Sequence, residues 1–281
     1  MLPELPIDRW VEHVVDWLER HLTLLFDWIS AVIGGMVELL ATLFLYPHPL
    51  IIIVVLTLIG FALGRWTLAL VTLAGLLLVE NLGFWEDTMR TLALVMTSAI
   101  ISVVIGIPAG ILCARSRVVA HIVTPVLDFM QTMPAFVYLI PAVTFFGLGV
   151  VPGVIASVIF AVPPTIRLTH LGIRQVPEEL TEAADAFGST PAQKLFKLQL
   201  PLAAPTIMAG INQTIMLSLS MVVIASMIGA KGLGAEVYRA VTQIKIGEGF
   251  EAGMAVVILA IVLDRFTQNM MKLSKKRRGS N

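Results

Sequence analysis

One cysteine in 281 residues, Cys113, excludes an internal disulfide and any multi-cysteine metal cluster. It falls in an apolar run, where a thiol serves as a small hydrophobe. Charge is also scarce: charged residues make up 14% of the chain, and 19 basic residues balance 19 acidic ones. A net charge of zero gives no overall field to recruit nucleic acid. There is no G-x-x-x-x-G-K-[ST] phosphate loop, no H-E-x-x-H or His-rich set and no nucleophilic serine elbow. Catalysis, a bound metal and a resident cofactor are therefore not expected in this chain. What fills the sequence is apolar surface: 57% hydrophobic residues and a mean hydropathy of +0.90 place it in a bilayer.

No cleavable signal is expected at the N-terminus, where Glu4, Asp8 and Glu12 replace the positive region of a signal peptide. From Ile7 to Leu22, apolar residues recur every three or four positions with charged ones between them, which predicts an amphipathic helix. Residues 23–46 are more apolar but carry a polar stripe of Asp27, Ser30, Gly34, Glu38 and Thr42, and either span or lie in the interface. Long apolar runs then predict spans at about 50–64, 66–80, 91–114, 122–146, 150–166, 205–229 and 249–266. The first two share one run broken at Gly64 and Arg65, read as a tight hairpin. The organisation expected is N-terminal amphipathic or interfacial helices (1–47), two accessory spans (48–88), a five-helix core (89–268) with a polar loop at 167–204, and a basic tail (269–281). With these spans thirteen Lys and Arg fall on one side and six on the other, which puts the C-terminus in the cytoplasm. Seven spans leave the N-terminus outside; an eighth, through residues 23–46, brings it inside.

The polar loop carries two short helices. Pro177 suits a first helical turn, Glu178 and Glu179 sit at the positive end of the dipole, and Gly188 closes the helix. Leu180, Ala183, Ala184 and Phe187 share one face. Thr190, Pro191 and Gln193 form a capping-box start for a second helix expected to stop at Pro201. Glu182-Ala183-Ala184, three residues, Gly188, nine residues and Leu198-Gln199-Leu200-Pro201 resemble the cytoplasmic coupling-loop signature of binding-protein-dependent ABC importer permeases, with Leu198 in place of isoleucine. That resemblance implies an all-α polytopic bundle of the type I importer kind. It also implies an ATP-binding cassette partner that binds ATP and Mg²⁺, an extracellular or lipid-anchored receptor, and a second permease copy. Glu182, Ala183, Ala184, Phe187, Gly188, Leu200 and Pro201 would then carry coupling to the ATPase.

Further stretches resemble the glycine betaine and proline betaine branch of that family: Thr91 to Val95, Gly106 to Ile111, Leu127 to Tyr138, Phe160 to Arg167 and Gly210 to Gln213. The resemblance implies osmoprotectant import across a bacterial cell membrane. No receptor domain is expected beyond the basic C-terminus, and the receptor is expected to be a separate polypeptide. A quaternary ammonium binds aromatic faces and polarizable sulfur, which makes Met130, Gln131, Thr132, Met133, Phe136, Tyr138, Asn212 and Gln213 candidates for the translocation path. Alternatives are another small solute such as an amino acid, choline or carnitine, an ion-coupled secondary transporter, or a channel or purely structural membrane protein. The predicted core spans are almost free of the ionisable relays that ion coupling uses. The basic cluster from Lys272 to Arg278 fits a topology anchor or contact with anionic lipid.

Overall fold

The computed structural model describes residues 7–278. Glu4 lies outside the described residues, as do the side chains of the basic cluster from Lys272. All regular structure among the described residues is helical. Helix α1 (Ile7–Leu45) runs unbroken for 39 residues. The amphipathic segment and the apolar one after it form a single rod, because neither Pro nor Gly separates them. Trp10, Trp17 and Trp28 remain more than half exposed along it. Its second half lies antiparallel to α3 (Trp85–Arg115). Trp28 and Val32 lie beside Ile101 and Ile105, while Glu38 and Tyr46 lie beside Arg90.

Helix α2 (Pro49–Asn81) contains a left-handed residue, Arg65, at φ 61°. A Cβ added at Gly60 would lie 3.3 Å from Thr72 Oγ1, and the Phe61 and Trp66 rings are 5.0 Å apart. Residues twelve apart on a straight helix are about 18 Å distant, so α2 is a hairpin that reverses at Gly64–Arg65. Gly64 is needed there: a Cβ would come within 2.7 Å of Leu68. The arms pack on α11 (Ile246–Arg278), with Gly60 against Phe266, Gly75 against Ile258 and the tip beside Asn269.

The centre of the bundle is α6 (Val150–Arg174) between α3 and α9 (Leu200–Ser226). Close approach follows from glycines on the flanking helices. A Cβ at Gly110 would lie 2.5 Å from Thr169 Cβ, and one at Gly210 would lie 3.1 Å from the Pro164 carbonyl. Small-residue faces are how helices associate in lipid, where burial of apolar surface gives no driving force. The Thr165 and Thr214 hydroxyls, 2.7 Å apart, join α6 to α9, and Thr214 also donates to the Ala161 carbonyl.

Three predicted boundaries are corrected. The span expected at 122–146 is two helices, α4 (Arg117–Thr132) and α5 (Leu139–Phe146, entered through a tight turn at Ala135–Tyr138), bent by 109°. Met133 precedes Pro134 and is extended (ψ 136°), as the proline ring demands. Helix α6 continues past Ile166 to Arg174. The short helices α7 (Glu178–Ala186) and α8 (Pro191–Gln193) follow, and α8 does not stop at Pro201. It passes through a wide turn at Lys194–Gln199 into α9, where the cap N–H of Leu200 reaches back to the Leu195 carbonyl. Widening the turn removes the clash that a proline normally makes with the preceding turn. Helix α10 (Leu233–Thr242) then leads into α11. Among the described residues, six helices are long and apolar enough to cross a membrane, counting α2 as one; the bent α4–α5 pair brings the number to seven when it is counted as a single span.

Candidate functional site

The segment between α6 and α9 is anchored on one side and bare on the other. Leu195 is buried with Ile173, Ala203 and Ile207, and Leu200 packs against that cluster. Lys194 Nζ reaches both Asp185 oxygens at 2.7 and 2.8 Å, and Arg115 donates to the Pro191 carbonyl at 3.1 Å. The Thr190–Gln193 capping box is complete. Gly188 takes φ 76°; its N–H bonds the Asp185 carbonyl and the Ser189 N–H bonds the Ala184 carbonyl, both at 2.9 Å. This paired closure requires the left-handed conformation that glycine adopts without cost.

No residue of α7 is buried. Glu182 and Ala183 are exposed, Ala184 is half-buried, and Phe187 and Phe196 are 91% and 65% exposed. Covering one such ring is worth roughly 1.5–3 kcal/mol, so a small-residue helix flanked by bare phenylalanines has the character of a protein-docking surface. Pro201 stands in the first turn of α9 and is half-buried.

The eight candidate path residues do not form one group. Gln131, Thr132, Phe136 and Gln213 are exposed, and Met130 and Met133 are half-buried around the α4–α5 bend. Tyr138 is buried and its hydroxyl donates to the Met130 carbonyl, which ties the two halves of the bend together. Asn212 faces α11: it donates to Asp264 at 3.1 Å and accepts from Thr267, while Gln268 donates to Asp264 at 2.7 Å. One residue along, Gln213 points elsewhere, as the 100° step of a helix requires. Sequence reasoning missed the ion pair between Arg167 and Asp128 at 2.5 Å. It also missed the polar row on α4 to which Asp128 belongs; the period-3.6 spacing of Arg117, His121, Thr124 and Asp128 was its signal.

A bundle of apolar helices with small residues at its crossings, and a short uncovered helix between α6 and α9, define a polytopic membrane protein. The chain belongs to the family of binding-protein-dependent transport system inner membrane components, which it matches over residues 106–279. It is 56% identical to the glycine betaine transport system permease protein OpuAB of Bacillus subtilis, with 99% of each chain covered. Identity to the glycine betaine/proline betaine permease ProW of Escherichia coli is 47%, over 97% of this chain and 77% of that one. The inward facing methionine ABC transporter MetNI shares the fold. A chain of it aligns at TM-score 0.63 and 21% identity, covering 68% of this chain and 95% of its own.

Proposed function

We propose that this chain is the permease of an ATP-driven importer of glycine betaine or a related quaternary-ammonium solute, embedded in a bacterial cytoplasmic membrane with its C-terminus inside. The observation that carries this reading is 56% identity, over nearly the whole chain, to permeases named for glycine betaine and for glycine betaine/carnitine, together with the bare α7 surface that an ATPase would cover. In this reading two copies pair around the path. Each docks an ATP-binding cassette subunit that holds ATP and Mg²⁺, and an extracellular or lipid-anchored receptor delivers the solute.

The geometry supplies a lever. Helix α7 is joined to α6 by only three residues, Gln175–Pro177, and α8 is continuous with the 27-residue α9. A displacement of α7 by the ATPase is passed through the Lys194–Asp185 pair to the wide turn at the base of α9, and so to a helix that crosses the bundle. Rigid-body transmission of this kind switches access without local unfolding. Glu182, Ala183, Ala184, Phe187 and Gly188 make the contact, while Leu200 and Pro201 hold its base. Gln131, Thr132, Met130, Met133, Phe136 and Gln213 border the path; Tyr138 and Asn212 brace it.

The test is competitive uptake in a bacterial strain lacking its other osmoprotectant transporters. Glycine betaine accumulates at high osmolarity, and sugars, metal ions and amino acids without a quaternary nitrogen do not compete. Preference for an unmethylated amino acid such as methionine would overturn the substrate while leaving the family membership intact.

A further inference from the structure

On α4, Arg117, His121, Thr124, Asp128 and Gln131 follow at steps of four, three, four and three residues. That period stacks them on one side of the helix, and all five are exposed. Facing the first half of this row, the last turns of α6 present Arg167, His170 and Arg174 across a cleft of about 740 Å³. Three guanidinium groups against the single carboxylate of Asp128 leave positive charge in excess, even with both imidazoles neutral. Arg167 is held by Asp128, yet its Nε is buried without a hydrogen-bond partner. The floor is apolar, from Cys113, Leu168 and Leu171.

Asp128 and Gln131 lie 11 and 14 residues beyond Arg117, about 16 and 21 Å along the helix. Ionisable side chains within a membrane-spanning bundle face its interior or a water-filled cavity, and the Arg167–Asp128 pair sets this part of the row against α6. The row also ends at the α4–α5 bend, where Gln131 and Thr132 sit. We infer that Arg117, Arg167 and Arg174 form a cationic inner mouth of the translocation path, which receives the carboxylate of a small zwitterion and turns away cations entering from the cytoplasm. Rings of basic side chains set such charge barriers in pores. This inference rests on the permease reading above and adds a specificity element to it: the mouth discriminates betaine from choline by the carboxylate, independently of the receptor.

The experiment uses the complete complex in phosphatidylcholine vesicles, with a Thr124→Cys permease in a Cys113→Ala background. Modification rates are measured with 2-sulfonatoethyl methanethiosulfonate (anionic) and its trimethylammonioethyl counterpart (cationic), each normalised to 2-mercaptoethanol. The sulfonate should react faster than the ammonium reagent, glycine betaine should slow both, and choline should slow neither. In the Arg117→Gln/Arg174→Gln variant, the anion-to-cation ratio should fall about tenfold, from Coulomb's law for two charges several ångströms away with partial screening. Ala120→Cys, which lines the same cleft, gives the same readout should Thr124→Cys fail to assemble. Equal normalised rates would overturn the inference. So would protection that appears only with phosphatidylglycerol in the vesicles and ignores betaine, because a lipid would then fill the cleft. Loss of the permease reading is scored separately, by absence of betaine uptake in the unmodified complex.

Discussion

Gly188 separates backbone geometry from partner contact. At φ 76° it closes α7 through two 2.9 Å bonds, and a Cβ there would meet nothing within 4 Å. In the isolated permease, a leucine at this position therefore costs only the left-handed backbone penalty, roughly 1–2 kcal/mol on an exposed turn. Membrane insertion is unaffected. Against a docked ATPase the same side chain must fit an occupied surface, and overpacking adds about 1–3 kcal/mol. Two further variants split these contributions. Gly188→Asn keeps the left-handed turn, which asparagine tolerates. Ala183→Leu adds volume on the same helix without backbone strain, because Ala183 is helical and exposed. The expected order of betaine transported per ATP hydrolysed is wild type, then Gly188→Asn, then Ala183→Leu, with Gly188→Leu lowest. A coupling loss of 1–3 kcal/mol corresponds to about 5- to 150-fold. The assay is paired uptake and ATPase measurement in proteoliposomes, with co-purification of the ATPase as the assembly control. If Gly188→Leu and Ala183→Leu both co-purify with the ATPase and transport at the wild-type rate, the segment is not the coupling contact.

Three other outcomes follow from the bundle. Cysteines near Trp85 and Lys231 should be labelled from outside by an impermeant reagent, and Ser116→Cys and Ser189→Cys should not; labelling of Ser189→Cys from outside would reverse the orientation. Because α1 lies antiparallel to α3, Glu12→Cys should share the protection of Ser116→Cys, whereas external labelling of it would contradict a crossing by α1. Gly110→Leu would drive a side chain into Thr169 and the Ile166 carbonyl, where a Cβ alone comes within 2.5 and 2.7 Å. The thermal midpoint of the detergent-solubilised complex should drop by several degrees, and an unchanged midpoint would refute the tight α3–α6 crossing.

Much of this architecture is legible in residue order alone. Apolar runs mark the membrane helices, and the Thr190 to Gln193 cap and the Gly188 turn stand where their chemistry requires. The errors share a cause: hydrophobicity locates where a helix is buried in lipid, not where it ends. Helix α6 extends to Arg174 because its last turns are polar yet still helical, and α4 reaches back to Arg117 for the same reason. The bend at Met133–Pro134 was signalled by the residue before proline, while the same ring chemistry misled at Pro201, where a wide turn absorbs it. Side-chain partners were the least legible. Asn212 and Gln213 are neighbours in sequence, but only the network with Asp264, Thr267 and Gln268 reveals that Asn212 is used for packing α9 onto α11.

The most direct test of the permease reading is ATP hydrolysis by the purified complex in lipid, measured with the substrate-binding receptor and a panel of small solutes. Glycine betaine with the receptor should raise the rate severalfold, and the receptor alone, or sugars and amino acids lacking a quaternary nitrogen, should not. A rate indifferent to both receptor and betaine, in a complex whose ATPase subunit is active, would contradict the account.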